Sequence, residues 1–489
     1  MTRPVGTFCL VLHTHLPWLP HAGTWPVGEE WIYQAFTASW QRVVRVIEQL
    51  DRPDTLTLGI TPTVAAMLDD PYTLRQLHTW IANWQLRAAE LAGRPDFPDL
   101  ATYEWRAASA SLADFENRWA TGGSPVFSQL PVELLGGPAM HPFQPLLPSR
   151  LQRFALSVGL ADARLRFGAA PAGIWAPECG FRPGLEQSYV DAGVSRFLVD
   201  GPAVRGQTHT AYPVAGSDVV AFARDLEVTY RVWSPKAGYP GAAPYRDFHT
   251  FDHASGFRPA RVTGKHVPPE QKKPWDPAAA FAQASVDADD FVTRVRDRLL
   301  GLADQHGREC LVVAAYDTEL FGHWWHEGPA WLEAVLRRLP EAGVRVTTLR
   351  GAVEAGHVGA AREIPASSWG SGKDWRVWDG EQVADLVAGN AKVADRLLST
   401  VDDFRSARRD PVLDQLAREA MLALSSDWAF MVTKDSAAHY ARRRAARHSE
   451  NVHRLADLLY GGGRETAEAL AGELRTVDGL FGHLDARQL

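Results

Sequence analysis

Residues 171–181 read PAGIWAPECGF, an apolar run that ends in a lone carboxylate. A short run of small and apolar residues, AGIWA at 172–176, reaches Pro177; Glu178 then stands alone before Cys179, Gly180 and Phe181. A carboxylate at the end of a buried strand is costly to desolvate, so it either reaches solvent there or is kept for chemistry. Similar apolar, β-branched runs occur at FCLVLH (8–13), TLTLGI (55–60), RFLV (196–199), VVAFA (219–223), CLVVAAY (310–316) and VRVTTL (344–349). Helical spacing separates several of them, as in WIYQAFTASWQRVVRVIEQL (31–50) and GPAWLEAVLRRL (328–339). Continuous apolar strands alternating with helices predict a parallel sheet covered on both faces. Seven such runs favour a (β/α) barrel, with an open sheet as the alternative on pattern alone.

Three segments depart from the alternation. Residues 70–125 are helix-rich and carry Trp80, Trp84, Trp105 and Trp119, which predicts a helical excursion. Residues 225–275 are rich in Gly, Pro and aromatics, the composition of a long functional loop or small subdomain. From about residue 380 strand signals vanish and helical spacing takes over, so a helical C-terminal domain is placed at about 360–489.

Composition narrows the function. With 46% hydrophobic and 22% charged residues over 489 positions, the chain is globular with a large core. Its net charge of −7, spread without long runs, argues against nucleic acid or anionic membrane as partner. The one basic cluster, ARRRAAR at 441–447, reads as the solvated face of a helix. Cys9, Cys179 and Cys310 are too few and scattered for a disulfide framework or a Cys-rich zinc site, which predicts a reduced, cytoplasmic protein. Neither a signal peptide nor a membrane span is read. The 18 tryptophans stand out, many beside Gly, Pro, His or Asp: Trp18, Trp25, Trp175, Trp324, Trp325, Trp369, Trp375, Trp378 and Trp428. Turn-flanked rings line concave sites, and their flat faces suit the C–H faces of sugars.

Polar residues gather where barrel strands should end: His13 and His15 after the first run, Glu178 after AGIWA, Asp317 after CLVVAAY. Strand C-termini form the active-site face of such barrels, so Glu178 and Asp317 are predicted to converge. A carboxylate pair is the machinery of glycoside cleavage. Glu319 is a close rival to Asp317. His13 and His15 share a face of one strand, a geometry zinc also uses; with His141, His323 and His326 they keep a metal-dependent deacetylase or mannosidase as an alternative.

HTHLPWL (13–19), TLGITPTV (57–64), GIWAPECGF (173–181), YDTELFGHWWHEGP (316–329) and SSWGSGKDWRVWDG (367–380) occur in the order of the five motifs of glycoside hydrolase family 57. Over nearly its whole length the chain resembles that family, most of all its α-1,4-glucan branching enzymes. The resemblance implies a distorted (β/α)7 barrel at 1–185 and 256–360, a small inserted domain with a mobile loop at 186–255, and a helical domain at 361–489. It implies a retaining enzyme without metal or cofactor, acting on α-1,4-glucan donor and acceptor chains. Glu178 matches the nucleophile and Asp317 the general acid/base. His13, His15 and His141 match donor-site histidines, and Trp369 and Trp378 match aromatics of the glucan cleft. Asp427 in SSDWAF matches an acid supplied by the C-terminal domain, and Tyr239 in AGYPG a tyrosine on a mobile loop over the site. Arg261 lies on the acceptor side, where Pro259, Ala260 and His326 depart from the family's aromatics. Core packing is the plainer reading of Trp369 and Trp378, and loop anchoring that of Tyr239. Water in place of a sugar hydroxyl would make the same machinery an α-amylase; a 4-hydroxyl would make it a 4-α-glucanotransferase. A catalytically silent glucan-binding protein is the remaining class, against which the intact carboxylate pair argues.

Overall fold

Gly6–Thr14 (β1) is buried at all nine positions, because it lies between a barrel interior and an outer helical layer. The computed structural model describes residues 4–94, 98–234 and 237–489. The other strands are β2 (Thr57–Ile60), β3 (Glu133–Leu135), β4 (Gly173–Ile174), β5 (Arg196–Asp200), β6 (Tyr212–Pro213), β7 (Val220–Arg224), β8 (Leu311–Asp317) and β9 (Val344–Thr347). β1 pairs in parallel with β8 along one edge; its other edge takes β9 over Gly6–Cys9 and β2 over Val11–Thr14. β2 continues to β3. A second sheet runs β4-β5-β7 in parallel, with β6 antiparallel on β7. The sheets join at both ends. Trp175 N–H donates to Gly136 O at 2.9 Å, and Asp225 N–H to Val313 O at 2.8 Å. Seven parallel strands thus close into a distorted ring.

Strand parity sorts the core. Cys9 and Val11 of β1 point inward with Leu135, Trp175, Leu198, Phe222, Leu311, Val313 and Ala315. Phe8, Leu10 and Leu12 point outward with Val312, Ala314 and Tyr316 into the helical layer. The C-terminal helices share this outer cluster, through Leu397, Leu416 and Leu455 among others, so they pack as part of the barrel's own shell. Helices open where the sequence caps them. Asp70, Asp276 and Asp410 each accept a first-turn N–H, and each is followed by a proline whose missing N–H is no loss there.

Several expectations need correction. All seven predicted runs form strands, but VRVTTL becomes β9, below β2 on the same edge of β1, and is not a member of the ring. The ring's third strand is β3, too short for a pattern and opened by Glu133, which is buried against Arg196 at 2.5 Å. The division at 186–255 follows no seam, since β5 and β7 fall inside it and belong to the ring. Residues 361–383 are loop and single turns; the long helices begin at Ala384. Within ARRRAAR, Arg444 is buried and donates to Trp18 O and Tyr440 Oη, so that face is not wholly solvated. Cys9, Cys179 and Cys310 are free and buried.

Candidate active site

Inward parity continues past the core to the strand ends. After Cys9 and Val11 comes His13; after Ala315 comes Asp317; after Val220 and Phe222 comes Arg224. His13 and Asp317 are register partners on β1 and β8. Glu178 arrives from β4 through a turn in which its own φ is 62° and that of Cys179 is 49°. Two successive left-handed non-glycine residues are backbone strain, a feature that clusters at functional sites. His13 lies flat on Trp175, centroids 4.3 Å apart, which fixes its ring plane.

Both Glu178 oxygens accept a hydrogen bond. Ser426 Oγ donates to Oε1 at 2.8 Å, and Trp369 Nε1 donates to Oε2 at 2.9 Å. Trp369 also donates its backbone N–H to Glu178 O, so it grips the residue twice. The donor order then propagates. Ser426, having given its proton, accepts from His141 Nδ1 at 2.9 Å; His141 Nε2 is left to accept from His13 Nε2 at 3.1 Å. His13 Nδ1 has no partner among the described residues. Burial, with neighbouring imidazoles, holds both His13 and His141 well below the ordinary value, so both are neutral at pH 7. His15 stacks on His141 at 3.7 Å and places Nε2 3.0 Å from Asp427 Oδ2. Burial opposes ionisation of Asp427, but His15 and the Ser425 hydroxyl outweigh it and hold the carboxyl below its usual range.

Asp317 is different. It is partly exposed, and its carboxylate accepts no hydrogen bond among the described residues. Desolvation pushes it up to about 6, against the pull of His15 and Arg224. Burial, opposed by the Trp369 and Ser426 hydrogen bonds, pushes Glu178 up to about 7. His15 acts on both carboxyls, Arg224 acts on Asp317, and the Arg224 guanidinium lies 5.2 Å from the ring of Trp369, which donates to Glu178, so the two acids share neighbours. Glu319, the rival, is buried, accepts from Trp40 Nε1 at 2.6 Å and is pushed up to about 8 by burial and by Asp317. It is tied into the shell.

Three predicted residues are not brought here. Trp378 stacks on Phe143 at 4.9 Å in a small core of its own, the plainer packing reading. Tyr239 is buried near Trp325 and Trp331 with its hydroxyl on Asp290 at 2.6 Å; it anchors its loop to the outer layer and does not cover Glu178. Arg261 pairs by backbone with Lys273 and Arg246 in the 246–275 segment. Of the turn-flanked tryptophans, Trp18, Trp325 and Trp428 are also core. Ser426 and Arg224 were missed, whereas Trp175 was among the turn-flanked rings expected at a concave site. Parity on β7 would have found Arg224; nothing periodic marks Ser426.

His15, His141 and Asp427 present ligand atoms within 4.8 Å of one another, a set a cation could use. Each of those residues already has a protein hydrogen-bond partner, so the set is satisfied as a polar network.

The model for glycosyl hydrolase family 57 matches residues 128–366, and that for the C-terminal region of 1,4-alpha-glucan branching enzymes matches 390–488. A probable 1,4-alpha-glucan branching enzyme of Mycobacterium tuberculosis is 53% identical over 99% of this chain and 98% of its own. The 1,4-alpha-glucan branching enzyme of Thermococcus kodakarensis is 32% identical over 93% of this chain and 74% of its own. Its crystal structure with glucose superposes with a TM-score of 0.93 at 29% identity, covering 99% of this chain and 96% of that one. An α-amylase of Thermotoga maritima gives a TM-score of 0.88 at 25% identity, covering 99% and 98%. The chain belongs to glycosyl hydrolase family 57.

Proposed function

We propose that this chain is a retaining 1,4-α-glucan branching enzyme in which Glu178 is the nucleophile and Asp317 the general acid and base. The observation that carries the reading is the asymmetry of the two acids. Glu178 is buried with a donor on each oxygen, which orients an ionised carboxylate. Asp317 is partly exposed with no donor, free to hold and release a proton. Without glucan their affinities stand in the opposite order, about 7 and about 6. The glucan reverses that order. Glu178 is already dry, whereas Asp317 loses its water when a sugar covers it, and positive charge developing at the anomeric carbon favours ionised Glu178.

In the first half-reaction a Glu178 oxygen bonds to the anomeric carbon, the α-1,4 C–O bond breaks, and the Asp317 proton goes to the leaving 4-oxygen. In the second, Asp317 takes the proton of an acceptor 6-hydroxyl, that oxygen bonds to the anomeric carbon, and Glu178 departs. Neutral His13 and His141, with His15 and Asp427, line the donor pocket and meet sugar hydroxyls. The names of the Mycobacterium and Thermococcus relatives, and the match at 390–488, support branching over hydrolysis. Three free, buried cysteines suit a reducing, cytoplasmic setting. No helix among the described residues is long and apolar enough to cross a membrane.

Trapping tests the assignment. A slow fluorinated α-glucosyl donor should leave one sugar on the peptide that contains Glu178, seen by mass spectrometry after proteolysis. Label elsewhere, or none with turnover intact, would contradict it.

A further inference from the structure

A cavity of about 650 Å³ lies between the helices at 30–50, 71–91 and 98–114 and the segments at 246–258 and 322–326. None of the residues that touch Glu178 lines it. Its walls carry six arginines against three carboxylates, in a chain whose net charge is −7. The carboxylates are engaged: Glu104 by Arg246, Asp247 by Lys272 at 2.7 Å, Glu30 by the Trp80 indole at 2.9 Å. Arg42, Arg45, Arg87, Arg106 and Arg258 form no ion pair among the described residues. A cleft lined by charge of one sign focuses its field and draws in ions of the opposite sign.

The arrangement is built. Arg87 lies between the rings of Trp80 and Phe257, 5.7 and 5.8 Å from their centroids, and its buried Nε has no partner among the described residues. Gly256 turns the chain beside Arg87 with a φ of 76°, which favours glycine. Arg258 stacks on Phe248 at 4.7 Å. Burial and Arg246 push Arg258 down to about 10 against the pull of Glu104, Glu30 and Asp247, and burial with Arg42, Arg246 and Arg258 holds His326 well below the ordinary imidazole value. His326, where the family motif offers an aromatic, thus stays neutral, with Nε2 2.8 Å from Tyr103 Oη.

We propose that this cavity binds a phosphorylated sugar, with the unpaired guanidinium groups on the phosphate and the sugar ring against the Trp80–Trp84 wall. Guanidinium forks match phosphate oxygens two at a time, and indole faces suit pyranose C–H faces. The volume fits a mono- or disaccharide phosphate. The same chemistry is offered by a free sugar phosphate and by a phosphate ester on a glucan chain.

Calorimetry on the full-length Glu178→Gln protein in phosphate-free buffer tests this without turnover, so the result is independent of whether the Glu178 site branches glucan. Glucose 6-phosphate and maltoheptaose carrying one 6-phosphate are compared with glucose, maltoheptaose and inorganic phosphate. At least one phosphorylated compound should bind about tenfold or more tighter than its parent and than inorganic phosphate, less tightly as salt rises; the better of the two identifies the source. Arg87→Gln, and Arg106→Gln at the exposed rim, should each remove most of that gain while melting like the parent. No gain from phosphate, equal binding of inorganic phosphate, or an unchanged gain in both folded variants would overturn the proposal.

Discussion

The hydroxyl of Ser426 donates to Glu178 Oε1 at 2.8 Å, so a C-terminal helix holds the carboxylate that follows barrel strand β4. A hydrogen bond to a charged group contributes about 1.5–3 kcal/mol, so Ser426→Ala should lower kcat about 10- to 100-fold. Because the hydroxyl also orders His141 and His13, KM for glucan should move less than kcat. Steady-state kinetics on amylose, with melting curves to show an intact fold, checks this.

The carboxylate pair gives the steepest prediction. Asp317→Asn should cost about 10²–10⁴ in turnover, the usual contribution of a general acid, and Glu178→Gln at least as much. Glu319→Gln should cost far less turnover, since Glu319 is tied to Trp40.

Glu178 also carries a stability signature. Its folded value, about 7, lies above the unfolded value near 4.5, so folding disfavours its ionised form. The cost is absent below about pH 4.5, grows as pH rises, and is complete above about 7, reaching on the order of 3 kcal/mol. Glu178→Gln should therefore raise Tm relative to the parent more at pH 8 than at pH 5. An equal difference at both would contradict the buried, raised carboxyl.

Activity should follow a bell in pH. The productive form needs one acid ionised and one protonated, and burial raises Glu178 to about 7 and Asp317 to about 6. kcat/KM should fall below about 6 and above about 7, the two limbs belonging to the pair.

Tyr239→Phe removes the hydrogen bond to Asp290, which should lower stability by about 1.5–3 kcal/mol. The ratio of new α-1,6 linkages to new reducing ends should stay unchanged, because the ring anchors the loop to Trp325 and Trp331 and not to Glu178. A large change in that ratio would restore a gating role for the loop.

Much of this site was legible because β1 and β8 keep period two into their last residues, so His13 and Asp317 inherit the inward face of Cys9 and Val313. Glu178 was legible by cost, as a lone acid after an apolar run. Trp378 and Tyr239 were misplaced for a physical reason. In Gly- and Pro-rich turns a ring's direction depends on the path of the loop, and no period encodes it. Ser426 was missed because a serine beside an acid has no signature until the helix bearing it docks on the barrel. β3 was missed because three residues opened by a glutamate show no alternation, and its ion pair with Arg196 appears only in the folded barrel.

Transfer to a 6-hydroxyl is what separates branching from the hydrolysis of an α-amylase that shares this fold. The direct measurement is incubation of the purified chain with amylose, counting α-1,6 linkages by proton NMR and new reducing ends by a colorimetric assay in the same samples. Branching predicts α-1,6 linkages in large excess over reducing ends, lost together in Glu178→Gln. Reducing ends accumulating without α-1,6 linkages would contradict it and make the chain a hydrolase.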